Sequence, residues 1–505
     1  MRVSFLLALL SAAPCAAQGP IREGAFVEVQ GTRFVVSGRP FSVAGANAAV
    51  MHGEAQRGAM SDVLGAIAAD GGNVVRVWAL GEYGADASPR SRSYAFRTGE
   101  EGWIESSFAH LDAVLARARA LDLRVIVVLS NRWGDYGGTT QYLRWAGYPS
   151  EDAAVPVLGL AMFWDCAPCE RAYQAHVRRV VSRHADDPTI FAWELMNEAE
   201  AAGVRGEASM LAWMGRQIAF LRSLAPHHLV SAGHIGYTGL HDRDLFRDVC
   251  ALDGVDYCDS HAYPLRGGRV RSAAALARWV DDRVQLAHHV VHKPILFGEV
   301  GFPTDPRASF GTGPAGWFDR FFTRLAYDGA AGALPWIYLP SGDADRPYGI
   351  YASGARVRQT RDIRRVLSRH AGRLGRREPR SRNRRLGDER GDEPLFDPTV
   401  TVTDRSTPHD TWTDDTLVID PRELARAHFE RAETWDGDPG LPHFYGAGAG
   451  EVSYRLRTPR APPSALVVRL HASSELPGAG LGAGPEDTST LTIELDGVML
   501  GTLTA

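Results

Sequence analysis

Two stretches of this chain end an apolar run on a carboxylate. One reads Ala192-Trp193-Glu194-Leu195-Met196-Asn197-Glu198, the other Ile295-Leu296-Phe297-Gly298-Glu299-Val300-Gly301. A buried strand that stops on Glu puts an ionisable group at the lip of a sheet or barrel. Two such groups facing each other are the minimal equipment for cutting a glycosidic bond, which needs one proton donor and one carboxylate. The donor needs surroundings that disfavour its charge; the carboxylate needs hydrogen-bond donors and positive charge. Arg76 and the Tyr263 hydroxyl are suitable donors to one carboxylate. Asn197, beside Glu198, can bond a sugar hydroxyl, His261 can hold the proton donor, and Trp336 offers a floor for a ring.

The elements that must position these groups are legible as eight apolar, β-branched runs separated by helix-like segments. They cover 41–47, 74–80, 124–130, 190–198, 229–236, 257–264, 294–301 and 332–339. Runs apolar on both faces suit a parallel sheet buried under helices. Between them lie amphipathic stretches such as 108–121 and 172–184. Eight strand–helix units close into a (β/α)8 TIM barrel. An open doubly wound sheet fits less well, because no Gly-rich phosphate turn follows the first strand. Before the barrel, 26–29 and 33–36 alternate around Gln30-Gly31-Thr32 and read as a hairpin closing the barrel floor.

Active sites on such barrels sit at the C-terminal strand ends. Those ends carry Arg76 and Trp78, Asn131, Asn197 and Glu198, His234, His261 and Tyr263, Glu299, and Trp336. Every strand past the first thus delivers a polar or aromatic group to one rim. A single Glu at a strand end is most often an ion-pair partner; the joint pattern carries the inference.

Length and composition agree with this reading. A chain of 505 residues calls for more than one domain, and 45% hydrophobic with 23% charged residues is ordinary for a globular protein with a large core. A formal net charge of −5 gives no footprint for a nucleic-acid partner. The start Met1-Arg2-Val3-Ser4, the apolar run 5–10 and the small residues up to Ala17 read as a signal peptide over 1–17. The expected location is therefore secreted, extracellular or periplasmic, with no membrane partner. Export makes Cys166 with Cys169, and Cys250 with Cys258, two expected local disulfides. A zinc site is disfavoured because the second pair lacks C-x-x-C spacing.

The catalytic barrel is expected over 18–371. Residues 372–395 crowd eight arginines among acidic residues with few apolar ones, which reads as a solvated linker. Over 396–505 the period changes to two, with alternation at 416–419, 452–456, 465–470 and 490–495 between Pro/Gly turns. That pattern predicts a small all-β sandwich, a spacer or a carbohydrate-binding accessory module, which lacks its last strand if the final run ends it.

Several motifs together carry a family resemblance. Trp193-Glu194-Leu195-Met196-Asn197-Glu198, His261-Ala262-Tyr263 and Phe297-Gly298-Glu299 resemble the signatures of glycoside hydrolase family 5. Val75-Arg76-Val77-Trp78, the run Ser130-Asn131-Arg132-Trp133-Gly134-Asp135-Tyr136-Gly137-Gly138 and Asp187-Pro188-Thr189-Ile190-Phe191-Ala192-Trp193 are similar to those of its endo-β-1,4-mannanases. The resemblance runs from about Phe26 to about Leu367. It implies a retaining mechanism without a metal or other cofactor, Glu198 as acid/base and Glu299 as nucleophile. It further implies Arg76, Trp78, Asn131, Asn197, His261, Tyr263 and Trp336 as substrate-binding residues. Residue types alone leave open which Glu does which. The implied substrate is a β-mannan polysaccharide, and the expected state is monomeric. The rivals are a β-1,4-glucanase of the same family and a non-catalytic polysaccharide-binding protein on a dead barrel.

Two departures from the mannanase pattern fall near the leaving sugar. Ala199 and Glu200 stand where Pro-Arg usually follows, and Gly233-His234-Ile235-Gly236 replaces a Gly-Glu-Glu-Gly run. Trp133, Trp145 and Trp164 either line the groove or pack the loop after strand three. Trp103, Trp213 and Trp279 fall on helix-like segments and are expected in the core. His52, His110, His184 and His288 show no recognisable partners in the sequence.

Overall fold

Three short antiparallel strands come first: β1 (Val27–Gln30), β2 (Arg33–Val36) and β3 (Arg39–Phe41). The eight apolar runs then become parallel strands: β4 (Val43–Asn47), β5 (Val74–Trp78), β6 (Arg124–Val128), β7 (Ile190–Glu194), β8 (Leu229–Ser231), β9 (Cys258–Ala262), β10 (Ile295–Val300) and β11 (Gly332–Pro335). Their order is β8-β7-β6-β5-β4-β11-β10-β9. The seam between β8 and β9 is crossed by single backbone bonds, Asp256 N–H to Val230 O at 3.0 Å and His261 N–H to Ile235 O at 3.2 Å. This is the (β/α)8 barrel that the strand count predicts. The computed structural model describes residue 21 and residues 25–374, apart from 50, 52–56, 85–91, 94, 135, 149–161, 202, 238–239, 267–269, 305–308, 310–311 and 341–346, and then strand segments between 401 and 504. The predicted signal peptide and most of the predicted linker lie outside the described residues.

Period-two alternation sorts each strand into a helix-facing and an inward set. On β5, Val75 and Val77 join the large core beneath the helices, while Val74 and Trp78 belong to separate clusters inside the barrel. Reading inward positions upward gives Val74, Arg76, Trp78: an apolar floor, a charged layer and an aromatic rim. The N-terminal hairpin plugs the floor. Phe34 meets Phe191 and Tyr257 edge to face, with ring centroids 5.0 and 5.4 Å away.

Helices cover the outside: α1 (Met60–Ala69), α2 (Glu105–Ala120), α3 (Gly138–Trp145), α4 (Ala167–Val181), α5 (Gly203–Leu224), α6 (Leu240–Ala251), α7 (Ala273–Gln285), α8 (Gly313–Asp328) and α9 (Arg361–Leu374). The start of α4 shows why one begins where it does. Cys166 is its N-cap, with the sulfur accepting the Cys169 N–H at 3.1 Å, and Pro168 in the first turn gives up no helical donor. Tyr173, Val177 and Val181 then recur at i, i+4, i+8 on its buried face.

Of the expected disulfides, Cys166–Cys169 is present. Cys250 and Cys258 are not bonded; they are two buried thiols in hydrogen-bond contact. Burial pushes the Cys250 thiol well up, which disfavours the thiolate that exchange with an oxidised sulfur requires.

The chain divides into two units, Met1–Leu395 and Phe396–Ala505. In the second, the strands pair in twos: Thr411–Thr413 with Thr416–Val418, Arg426–Phe429 with Gly450–Ser453, Ala432–Trp435 with His443–Gly446, Thr490–Leu495 with Val498–Thr504, and a parallel pair Thr401–Val402 with Arg455–Leu456. The predicted strand at 465–470 lies outside the described residues, and the pairs alone do not make a layered sandwich.

Candidate active site

Several functional residues lie beyond the strands that deliver them. β7 ends on Glu194, not Glu198. After it the chain bends back toward β6 and β8: Asn197 N–H bonds Ser130 O at 2.8 Å, and Ala199 N–H bonds Gly233 O at 2.9 Å. Between these anchors Glu198 takes φ 54°, a left-handed conformation that a non-glycine residue holds only when its surroundings enforce it. The expectation of a strand stopping on this Glu is corrected accordingly. The bend lifts Glu198 off the sheet and over the mouth.

Glu299 reaches the mouth by a different device. Strict alternation would turn it away from Leu296, which faces the interior. The ladder slips between Leu296 and Glu299 against β9, and between Phe297 and Val300 against β11. Such an irregularity re-aims a side chain. Gly298 makes it possible, because a Cβ there would lie 2.4 Å from Asp259 Oδ1, whose partner at 2.9 Å is the Gly298 N–H. Gly298→Ala should therefore lower stability by about 1–3 kcal/mol through overpacking. Urea titration checks this, and an unchanged midpoint would contradict it.

Arg76 organises the site. All five of its N–H groups are committed: Nε to Glu194 Oε2 (3.0 Å), Nη2 to Glu194 Oε1 (2.6 Å) and Asn197 Oδ1 (2.8 Å), Nη1 to Asn47 Oδ1 (3.0 Å) and Glu299 Oε1 (2.9 Å). The other Glu299 oxygen accepts from Tyr263 Oη at 2.6 Å. Glu198 is held by His261 Nδ1 at 2.8 Å and by Trp133 Nε1 at 2.5 Å, on opposite oxygens. Asn197 Nδ2 donates to Asn131 Oδ1 at 3.0 Å. One oxygen of Glu198 and one of Glu299 lie within 4.8 Å of each other.

The remaining predicted residues form a wall beside this network. Trp78 and Trp336 pack with centroids 5.8 Å apart, and Tyr136 meets Trp78 edge-on at 5.5 Å. His234 is buried and does not touch the carboxylates. Its Nδ1 accepts the Gly236 N–H at 3.0 Å.

Three participants were not among the predicted site residues. Asn47, ending the strand thought to contribute nothing, accepts from Arg76 and donates to the Gly298 and Leu334 carbonyls. Glu194 takes both arms of the Arg76 fork. Trp133 lines the cleft, 37% exposed, with the Arg132 guanidinium 3.8 Å from its ring centroid. Trp164 is fully buried against Trp213, and Trp145 stacks on buried Arg97, so both pack rather than bind. Among the histidines, His110 bonds Met51 O at 2.5 Å and His184 pairs with Asp112 at 2.9 Å, partners the sequence did not reveal.

Electrostatics follow from burial and this wiring. Burial opposes the charge of His261, but Glu299 and Glu198 outweigh it and push the imidazole up to about 9. Burial likewise raises Glu299, against His261 and Arg76, and its carboxyl stays above the usual range. For Glu198 burial is outweighed by the His261 hydrogen bond and charge, Trp133 and Arg76, and the carboxyl sits below the usual range. An imidazolium favoured by folding stabilises fully below about pH 6.5, and that stability fades as pH rises through about 9. The stability advantage of the wild type over His261→Gln should thus shrink across this window, read from urea midpoints; a widening gap would refute it.

The carboxylates and His261 together offer enough donor atoms for a cation. Arg76 already points three of its five N–H groups at carboxylate oxygens of Glu194 and Glu299, and together with His261 it supplies the positive charge of this site.

A parallel barrel whose strand ends wire an Arg-held carboxylate against a His-held one is the architecture of a glycoside hydrolase. The comparisons agree. The model of the GH family 5 beta-mannosidase-like family matches residues 24–327, and the chain belongs to that family. A putative mannan endo-1,4-beta-mannosidase 5 of Oryza sativa subsp. japonica is 31% identical over 363 residues, covering 63% of this chain and 71% of that one. Mannan endo-1,4-beta-mannosidase 1 of the same plant is 29% identical over 359 residues, covering 63% and 79%. Among solved structures, the endo-1,4-beta-mannanase from Rhizomucor miehei superposes with a TM-score of 0.58 at 20% identity, over 70% of this chain and 100% of that one. That likeness supports the fold.

Proposed function

We propose that the chain is a retaining endo-glycosidase that hydrolyses internal β-1,4-mannosidic bonds of mannan, glucomannan or galactomannan. The observation that carries the retaining reading is the approach of Glu198 and Glu299 to within 4.8 Å. Retaining pairs stand roughly 5 Å apart, whereas inverting pairs leave roughly 6.5–9.5 Å for a water between them.

Glu299 is the nucleophile. Arg76 and Tyr263 hold one oxygen each, which fixes its direction and keeps a negative charge available despite burial. It attacks the anomeric carbon as the bond to the leaving oxygen breaks. Glu198 gives that oxygen a proton, then takes one back from the water that frees Glu299. Glu198 is the more acidic of the two, opposite to an acid's need. Its proton is stored one hydrogen bond away, on His261, and closing the cleft over a sugar expels water and favours the neutral carboxyl. The second Asn197 amide hydrogen serves the 2-hydroxyl, and the Trp78–Trp336 wall takes the ring. The pattern of residues 1–17 supports export, and a monomer suffices because every site residue comes from one barrel.

Two measurements test this. Reducing-sugar release from galactomannan, glucomannan and carboxymethylcellulose should favour the mannans; activity only on the last would make the enzyme a glucanase. Proton NMR of the first products should show the β-anomer, and an α-anomer appearing first would overturn retention. A non-catalytic barrel would be expected to have lost a carboxylate, and both are present.

A further inference from the structure

Beneath the catalytic pair lies a second acidic layer that the chemistry above does not use. Glu194 ends β7 and Asp259 lies on β9; an oxygen of each falls within 4.8 Å of the other and of a His261 nitrogen. Both side chains are buried. Asp259 Oδ1 accepts the Gly298 N–H at 2.9 Å, and Oδ2 accepts from Ser231 Oγ at 3.3 Å. Two glycines leave room for this pair. A Cβ on Gly233 would lie 2.8 Å from Glu194 Oε1, and one on Gly298 2.4 Å from Asp259 Oδ1.

A charge count decides the state of Asp259. The charged groups acting on it are Glu194 from β7, His261 from its own strand and Arg76 from β5, and the two cations are shared with Glu299 on β10 and Glu198 beyond β7. The Tyr257 hydroxyl and the Cys250 thiol at the end of α6 are neutral, and Lys293 is spent on the carbonyls of Cys250 and Leu252. Two cations, Arg76 and His261, already serve three carboxylates. A fourth buried anion would have nothing to balance it, and such a group takes up a proton instead.

We propose that Asp259 is a positioning residue that works as a neutral carboxylic acid beside Glu194. Arg76 is then divided among Glu194, Glu299, Asn197 and Asn47, and no third buried anion competes for it. Burial first, then the charge of Glu194, push this carboxyl up to about 7, against His261 and Arg76. When the proton leaves, the new charge draws Arg76 from Glu299 and His261 from Glu198, and activity falls on the alkaline side. This inference rests on the reading of Glu299 as nucleophile.

The test uses the full chain and Asp259→Asn, a permanently neutral near-isostere. Infrared difference spectra of the wild type between acidic and alkaline pH should show a protonated-carboxyl band that persists to about neutrality and disappears in the variant. Its absence from the wild type near neutrality would overturn the proposal, whether or not the variant folds. Asp259→Asn should keep kcat/KM on mannan within about threefold at the optimum and extend the alkaline limb upward. A loss of about a hundredfold, or an alkaline limb identical to the wild type, would also overturn it. A wild type inactive on mannan would sink the functional reading instead, and leave the infrared result to stand by itself.

Discussion

Glu299→Ala is expected to lower kcat on mannan by on the order of 10⁴-fold or more, about 5 kcal/mol of transition-state stabilisation, while oligosaccharide affinity changes little. In the proposed mechanism Glu299 is the attacking group and its two oxygens are tied to Arg76 and Tyr263, so its removal takes away that atom and leaves the packed pair of Trp78 and Trp336 intact. It also removes a buried negative charge, which relaxes the demand on Arg76 and makes gross unfolding an unexpected outcome. Steady-state kinetics on mannan and calorimetric titration with a mannooligosaccharide separate the two effects. A small anion such as azide fits the space left by the carboxylate and should restore turnover of activated substrates, giving a glycosyl azide of inverted configuration. Near-normal turnover in the variant would remove Glu299 from the mechanism.

The part of this architecture legible in the sequence is the part governed by periodicity. Eight apolar runs mark eight strands because a parallel barrel buries both faces, and the observed strands begin within three residues of the expected starts. The ends read less well, by up to five residues, and the reason is functional. Ser130, Asn197, Glu198 and Gly233 lie in bends after the strands, yet each follows an apolar run without a break in composition. Asn47 and Glu194 escaped because each is the last residue of its strand, where nothing in the apolar run sets it apart, and only three-dimensional wiring shows that both serve Arg76. The aim of Glu299 was unreadable, because a slip in ladder register leaves no mark in an apolar run beyond Gly298 itself. Trp133 could be placed on the right loop, but its hydrogen bond to Glu198 depends on the left-handed turn at that residue. In the second unit, alternation found real strands, as at Thr490–Leu495, but pairing between distant segments cannot be read from period two.

Arg76→Lys is the substitution with the broadest expected damage, though it conserves charge. The guanidinium uses every donor it has, on five acceptor atoms spread over β4, β7, β10 and the turn after β7. An ammonium offers three donors from one point and cannot span the fork. At least two buried acceptors are then left without a partner, each costing about 1–3 kcal/mol. The side chain is fully buried, so water cannot take over those bonds without opening the barrel. The expected result is a stability loss of roughly 2–5 kcal/mol, read from denaturant midpoints, together with a fall in kcat of at least about 10²-fold. The two losses have separate origins: Glu194 and Asn47 carry the stability, Glu299 and Asn197 the catalysis. Asn47→Ala removes one acceptor of Arg76 and the donor to the Gly298 and Leu334 carbonyls but leaves the Glu299 contact of the guanidinium in place, so it should reproduce part of the destabilisation with a much smaller effect on kcat. If Asn47→Ala and Arg76→Lys lost activity equally, the division of labour around the guanidinium would be wrong. The fork would then be a single unit whose every contact feeds the nucleophile.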